Sequence, residues 1–182
     1  MKPQTLTNFH APAPAFGYSL LPNFKIAHLT MAQSNDDQQA NFEQDIRAEC
    51  TALSIAYARC VDFRDYEAFV DLFTEDGELD TGVPLNGKAA IRKAMSRRPD
   101  ELKSRHVLSN IFIDVQDADH ARGISYLTLY RHIGPESLTG AAIEFDGPAA
   151  VGHYEDQFVR TAEGFRFKRR RLQMAFTRAD KF

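Results

Sequence analysis

The chain changes its hydrophobic period once. Phe42, Ile46, Cys50, Leu53, Ala56, Tyr57 and Cys60 recur at three- and four-residue steps, which makes one apolar stripe on an amphipathic helix. The pattern predicts a first helix over residues 37–61. Asp65 is a good N-cap for a second helix over 66–73. Asp76-Gly77 reads as a turn, 78–82 as a short strand, and Pro84 with Asn86-Gly87 as a break. A third, short helix over 88–97 carries Ile91 and Met95 four apart and stops before Pro99. From Ser104 the period becomes two. Strands are predicted over 105–116, 121–133, 150–161 and 165–176, with turns at 117–120 and Glu163-Gly164. A long loop, 134–148, separates the middle pair. In the first of these strands His106, Leu108, Asn110 and Phe112 are expected on one face. Val107, Ser109, Ile111, Ile113 and Val115 are expected on the other. Helices followed by a meander of long antiparallel strands is an α+β order. A sheet that buries the helices has to bend around them, and a bent sheet leaves a cavity.

Residues 1–36 show no sustained period and are punctuated by Pro3, Pro12, Pro14 and Pro22. They read as an N-terminal extension to a domain spanning 37–182. Met31 directly precedes a polar run, so translation is expected to start there. The extension is a poor secretory signal, because Pro interrupts its apolar part.

The 182 residues suffice for one domain with a substantial core. A formal net charge of −3 does not suggest a nucleic-acid partner. No apolar run approaches the ~20 residues of a membrane span. Fourteen Phe residues fit a core or a greasy pocket. Cys50 and Cys60 lie about 15 Å apart along one helix, too far to bridge. They read as core thiols of a reducing, cytoplasmic compartment. The histidines lack metal-ligand spacing, so no metal is expected. Glycine-rich phosphate loops and GxSxG elbows are missing from the sequence.

Three residues are candidates for chemistry, each with an ordinary alternative. Asp62 falls at the end of the first helix, where the macrodipole repels a carboxylate, yet it also suits a turn. His106 sits on a mixed strand face and needs partners for both ring nitrogens, which water or a backbone carbonyl can supply. Tyr57 lies on the apolar stripe, so its hydroxyl goes inward and needs a partner. Ideal helix geometry puts Tyr57 and Asp62 about 140° apart. They are expected to share a pocket only if the helix ends or bends before Asp62. The basic run Lys168-Arg169-Arg170-Arg171 alternates faces on a strand, so one set is expected to be buried or paired, with Asp156 or Glu155 as partners.

The ordered set YARCVDFRDYEAFVDLFTEDGELD, GKAAIRKAM, RHVLSNIFIDV and GHYEDQFVRTAEGFRFKRRR resembles the SnoaL-like branch of the nuclear-transport-factor-2-like (NTF2-like) superfamily over about residues 40–177. The resemblance implies a cone: a strongly curved antiparallel sheet wrapped around three helices, with a deep pocket. Known members include scytalone dehydratase, bile-acid dehydratase, polyketide cyclases and ketosteroid isomerase, besides non-catalytic subunits, so the fold alone does not give the reaction. The nearest pattern is that of the dehydratases. It implies an Asp62–His106 dyad, Tyr57 as a pocket tyrosine, and Asn110 as a polar pocket residue. It also places Tyr126 and Tyr154 on pocket-lining strands and makes Arg170 a structural arginine of the closing strand.

The expected function is a cofactor-independent lyase of dehydratase type acting on a hydrophobic polycyclic or aromatic molecule such as a steroid or polyketide. The alternatives are a non-catalytic ligand-binding or assembly module and a related isomerase or cyclase. Loop 134–148 is expected to be a lid whose Ile143 and Phe145 close over substrate. The outer sheet face, with Val107, Ile111 and Ile113, is expected to make a homodimer or trimer.

Overall fold

The computed structural model describes residues 35–178. The expectations for an N-terminal extension and for a start at Met31 lie outside the described residues. Three helices, α1 (Asn35–Asp62), α2 (Tyr66–Asp71) and α3 (Gly87–Met95), are interleaved with two strands, β1 (Phe73–Asp80) and β2 (Pro84–Asn86). Four longer strands follow: β3 (Leu102–Val115), β4 (His120–Ile133), β5 (Ala150–Thr161) and β6 (Gly164–Thr177). A 3-10 turn, Pro135–Leu138, is the one regular piece of the long loop. Among the described residues no helix is long and apolar enough to cross a membrane.

The strands form one curved sheet in the order β2-β1-β6-β5-β4-β3. The β3–β6 meander is antiparallel throughout. β1 departs from that pattern and lies parallel to β6. Opposite charges line the pairing. The acidic side chains of β1 meet the basic run of β6: Asp76 pairs with Lys168, Glu78 with Arg169 at 3.1 Å, and Asp80 with Arg171 at 3.6 Å. The β1 strand begins at Phe73, where the sequence extends a helix, and β2 fills the expected break. Gly152 sits at a register shift within β5 where the β6 backbone comes close; a Cβ there would meet the Gln173 carbonyl oxygen at 2.2 Å.

The core lies between the concave face and the helices. Ile46, Cys50, Leu53, Tyr57 and Cys60 of α1 bury the predicted stripe against Phe69, Phe73, Phe158, Phe165 and Phe167. Glu49 anchors the helix by accepting a 2.7 Å hydrogen bond from the Phe165 backbone N–H. One side chain among these rings is charged. Arg170 is wholly buried and makes a bidentate pair with Asp156, at 2.8 and 2.7 Å. Its guanidinium stacks at 4.2–4.3 Å from the rings of Tyr57, Tyr154 and Phe167.

The period-two reading of β3 fails halfway along the strand. A register shift lies between Ser109 and Phe112, and Asn110 takes a left-handed φ of 48°. This β-bulge inserts one residue and reverses which side chains point inward. Ser104 and His106 face the helices before it. Ile111 and Ile113 pack on the core after it, while Phe112 turns to solvent. Ile111 and Ile113 therefore do not belong to the outer face where alternation puts them.

Candidate active site

The site forms where the end of α1 meets the start of β3. The α1 helix runs to Asp62 without a break, and the chain then turns at Arg64, which adopts a left-handed φ of 62°. From that turn the Arg64 guanidinium donates to the carbonyls of Pro99, Asp100 and Leu102 at 2.5–2.8 Å. These bonds hold the chain entering β3 against the end of α1. On a strand of period two, Ser104 and His106 then share the face above Asp62.

Asp62 receives three hydrogen bonds there. The His106 backbone N–H donates to Oδ2 at 2.7 Å, the Ser104 hydroxyl to Oδ1 at 2.8 Å, and His106 Nδ1 lies 2.6 Å from Oδ1. The two side chains are 6% and 11% exposed. Burial works to raise the Asp62 carboxyl. The bonds and charge of His106 and the Ser104 hydroxyl outweigh it and hold the pKa below the usual carboxylate value. An ionised Asp62 can only accept, so Nδ1 carries the proton between them, and Nε2 is the basic nitrogen of the neutral tautomer.

His106 lines a cavity of about 240 Å³ whose wall includes Tyr57, Phe69, Leu129, Tyr154 and Leu172. Asp62 itself does not line it and stands behind the imidazole. This removes the angular conflict between Tyr57 and Asp62. The helix need not bend, because His106 bridges the two positions. The Tyr57 and His106 rings are 6.5 Å apart and edge to face. Burial raises the pKa of both Tyr57 and Tyr154, so both phenols stay protonated. Their ring centroids are 5.4 Å apart.

Three other expected binding residues are elsewhere. Asn110 is exposed at the bulge, beyond the point where side-chain parity changes. Tyr126 is 52% exposed on the convex face, because the strand position that points inward is its neighbour Leu127. Phe145 packs edge-on against Tyr130, also on the convex side, with ring centroids 5.9 Å apart. No residue of loop 134–148 lines the His106 cavity, so the loop is not a lid over it. It is tied down by Lys103, which donates to the carbonyls of Thr139 and Ala141, and by the Arg178–Asp146 ion pair.

Ser104, Arg98 and Arg131 also line the cavity and were not singled out from the sequence. Ser104 was within reach, since a residue two before His106 on a strand shares its face. The arginines carried no such signal. A larger hollow of about 390 Å³ on the convex face is bordered by Asp114, Arg122, Glu155 and Arg171. It is an open, charged surface with no histidine or tyrosine. Among the described residues no cluster of metal-ligating side chains occurs.

Among curated proteins no relative matches this chain. Solved structures do. A provisional scytalone dehydratase from Novosphingobium aromaticivorans is similar at 22% identity and a TM-score of 0.63, over 76% of this chain and 90% of that one. An NTF2-like protein with a cystatin-like fold from the same organism gives 23% and 0.65, over 82% and 96%. A provisional aromatic ring hydroxylase, again from that organism, gives 26% and 0.58, over 72% and 90%. The SnoaL-like domain model matches residues 43–171. That span holds α1 from its third turn onward, α2, α3 and more than half of β6, and the chain belongs to the SnoaL-like domain family.

Proposed function

We propose that the protein is a lyase that eliminates water from a hydrophobic hydroxy-carbonyl compound, with His106 as the base. The observation that carries this reading is the 2.6 Å His106–Asp62 contact on the wall of a largely apolar cavity. Asp62 fixes the Nδ1–H tautomer and stabilises the imidazolium once it forms. Nε2 removes a proton from the carbon next to the carbonyl. The C–H electron pair becomes an enolate, whose oxygen accepts a hydrogen bond from Tyr57. Collapse of the enolate forms the C=C bond and breaks the C–O bond. The imidazolium returns its proton to the departing hydroxyl, so water leaves and His106 ends neutral. No electrons are transferred to or from another group, and the scheme needs no cofactor.

The cavity volume limits the substrate. Drug-sized sites measure about 300–1,000 Å³, and this one is about 240 Å³. One or two rings suit it better than a full steroid nucleus.

The test is a panel of one- and two-ring β-hydroxy carbonyl compounds, read by the absorbance of the conjugated product. On a compound that is turned over, His106→Ala and Asp62→Asn should each lower kcat by roughly 10²–10⁴-fold, the range expected for general base catalysis. The double variant should be little worse than either single one, because the two groups act as a unit. Tyr57→Phe should cost less, since the ring remains. If His106→Ala matches the wild type on that compound, the dyad mechanism is wrong and the cavity is a binding site.

A further inference from the structure

Arg64 and Asn110 are the two residues other than glycine that take a left-handed φ among the described residues. Asn tolerates that region, whereas an arginine is disfavoured there. Arg64 sits just past α1, where the Asp65 N–H returns to the Cys60 carbonyl at 2.9 Å. That bond closes a Schellman-type turn, whose left-handed position is ordinarily filled by glycine. An arginine in that place has to be offset by what its side chain does. Its Nη2 lies 2.5–2.8 Å from the carbonyl oxygens of Pro99, Asp100 and Leu102, and its Nη1 lies 3.3 Å from the Asp100 carboxylate. All these acceptors belong to the short segment that leads into β3. Residues 99–101 are exposed, so burial does not hold them. Their backbone is otherwise tied by the Leu102 N–H to Pro99 and the Gly134 N–H to Glu101, both at 3.2 Å.

The two ends of this bridge stand beside the two ends of the dyad. Arg64 is two residues from Asp62. Leu102 opens β3, two residues before Ser104 and four before His106, on the same face of the strand. The side chains of Asp62 and Arg64 therefore cross the same gap between α1 and β3. We infer that Arg64 is the positioning residue of the dyad: its guanidinium clamps the entry of β3 onto the end of α1 and so keeps His106 Nδ1 against Asp62. This deepens the reading of His106 as the base and rests on it. Arg64 does not line the cavity. It acts through the backbone, by fixing how far apart the two segments stand. In the clamped corner the neutral imidazole carries its proton on Nδ1 and presents Nε2 to the cavity. A free imidazole side chain prefers the proton on Nε2, so a loosened corner lets that form return and withdraws the base. Lysine is a poor substitute, because an ammonium is a point charge without the planar fork that meets several carbonyls at once.

The experiment reads the tautomer and needs no substrate. The full chain is labelled with 15N in its histidine rings, and the His106 signals are assigned by their loss in His106→Ala. At mildly alkaline pH, where an imidazole is neutral, the wild-type ring nitrogens should report the Nδ1–H form. Arg64→Gly deletes the fork while easing the left-handed backbone, so it tests the clamp without adding strain. It should shift His106 to a mixture rich in the Nε2–H form. On a compound that wild type turns over, it should lower kcat by up to about 10²-fold with KM little changed. Arg64→Lys should recover part of the Nδ1–H form. Circular dichroism and melting curves check that each variant is folded. A folded Arg64→Gly with the wild-type tautomer would overturn the proposal. If Arg64→Gly does not fold, Arg64→Lys carries the test, and a wild-type tautomer ratio with wild-type kcat there overturns it too. The outcome is separable from the lyase reading. Loss of the Nδ1–H form in Arg64→Gly, beside unchanged turnover in His106→Ala, sinks the base mechanism and leaves the clamp. A tautomer kept in Arg64→Gly, beside a strong His106→Ala defect, sinks the clamp alone. A wild type already in the Nε2–H form sinks both.

Discussion

Asp62 is held where a helix end disfavours it, and three donors account for its staying there. Its folded-state pKa is lowered relative to the unfolded chain, where an aspartate titrates near ~3.9. The stabilising contribution is therefore complete above about pH 4 and is lost as pH falls through the lower folded value. Urea midpoints of wild type and Asp62→Asn, followed from neutral pH into acid, should converge on the acid side. A constant gap across that range would show that the carboxylate charge is not what stabilises this corner. The second buried acid behaves differently. Asp156 is the ion partner of Arg170 in the core. Asp156→Asn leaves a guanidinium without a countercharge among aromatic rings and should cost about 3–5 kcal/mol in equilibrium unfolding. A loss under about 1 kcal/mol would mean that the stacked rings of Tyr57, Tyr154 and Phe167 suffice to hold the cation.

At the level of elements, α1, β4 and β5 were legible because each keeps one period along most of its length. The α1 stripe is read directly from the sequence, and with it Tyr57 on the inner side, whereas Tyr154 was a candidate through the family resemblance alone. His106 and Asp62 were legible as a pair through the family resemblance and not through periodicity, which says nothing about contacts 44 residues apart. What failed has a common cause. A period of two states which residues share a face but not which face is inside, and it cannot foresee an inserted residue. Tyr126 was lost to the first limit, and Asn110, Ile111 and Ile113 to the second. Phe145 was lost because loop length says nothing about the surface on which a loop settles. Arg98 and Arg131 were hidden because a basic residue is ordinarily a solvated one. The bulge itself is testable. Asn tolerates the left-handed region and Gly more so, while a β-branched residue pays about 1–2 kcal/mol there. Asn110→Gly should be nearly neutral and Asn110→Val should lower stability by that amount. Both should leave ligand binding at the His106 cavity unchanged, since Asn110 is not part of its wall.

At the scale of the molecule, the sheet has two faces of different character. The concave face carries the core and the cavity. The convex face exposes Phe112, Ile124, Tyr126, Tyr130, Val107 and Phe176 at 40–72%. These are not scattered: Phe112 pairs in register with Ile124 across β3 and β4, and Tyr126 sits beside His153 of β5. Antiparallel sheets tolerate one wet face, but that face is normally polar. Large exposed apolar patches of this kind are a common feature of interaction surfaces. We propose that a second copy of the chain covers it, each convex face packing on the other about a two-fold axis, as in most soluble homo-oligomers. Light scattering should then give a multiple of the monomer mass at micromolar concentration. Ile124→Glu should return the monomer with its fold intact, because that side chain points away from the core. Since the cavity lies on the other side of the sheet, the monomeric variant should keep the wild-type turnover of any compound processed there. A wild-type chain that remains monomeric at these concentrations would leave the convex rings without a self-partner.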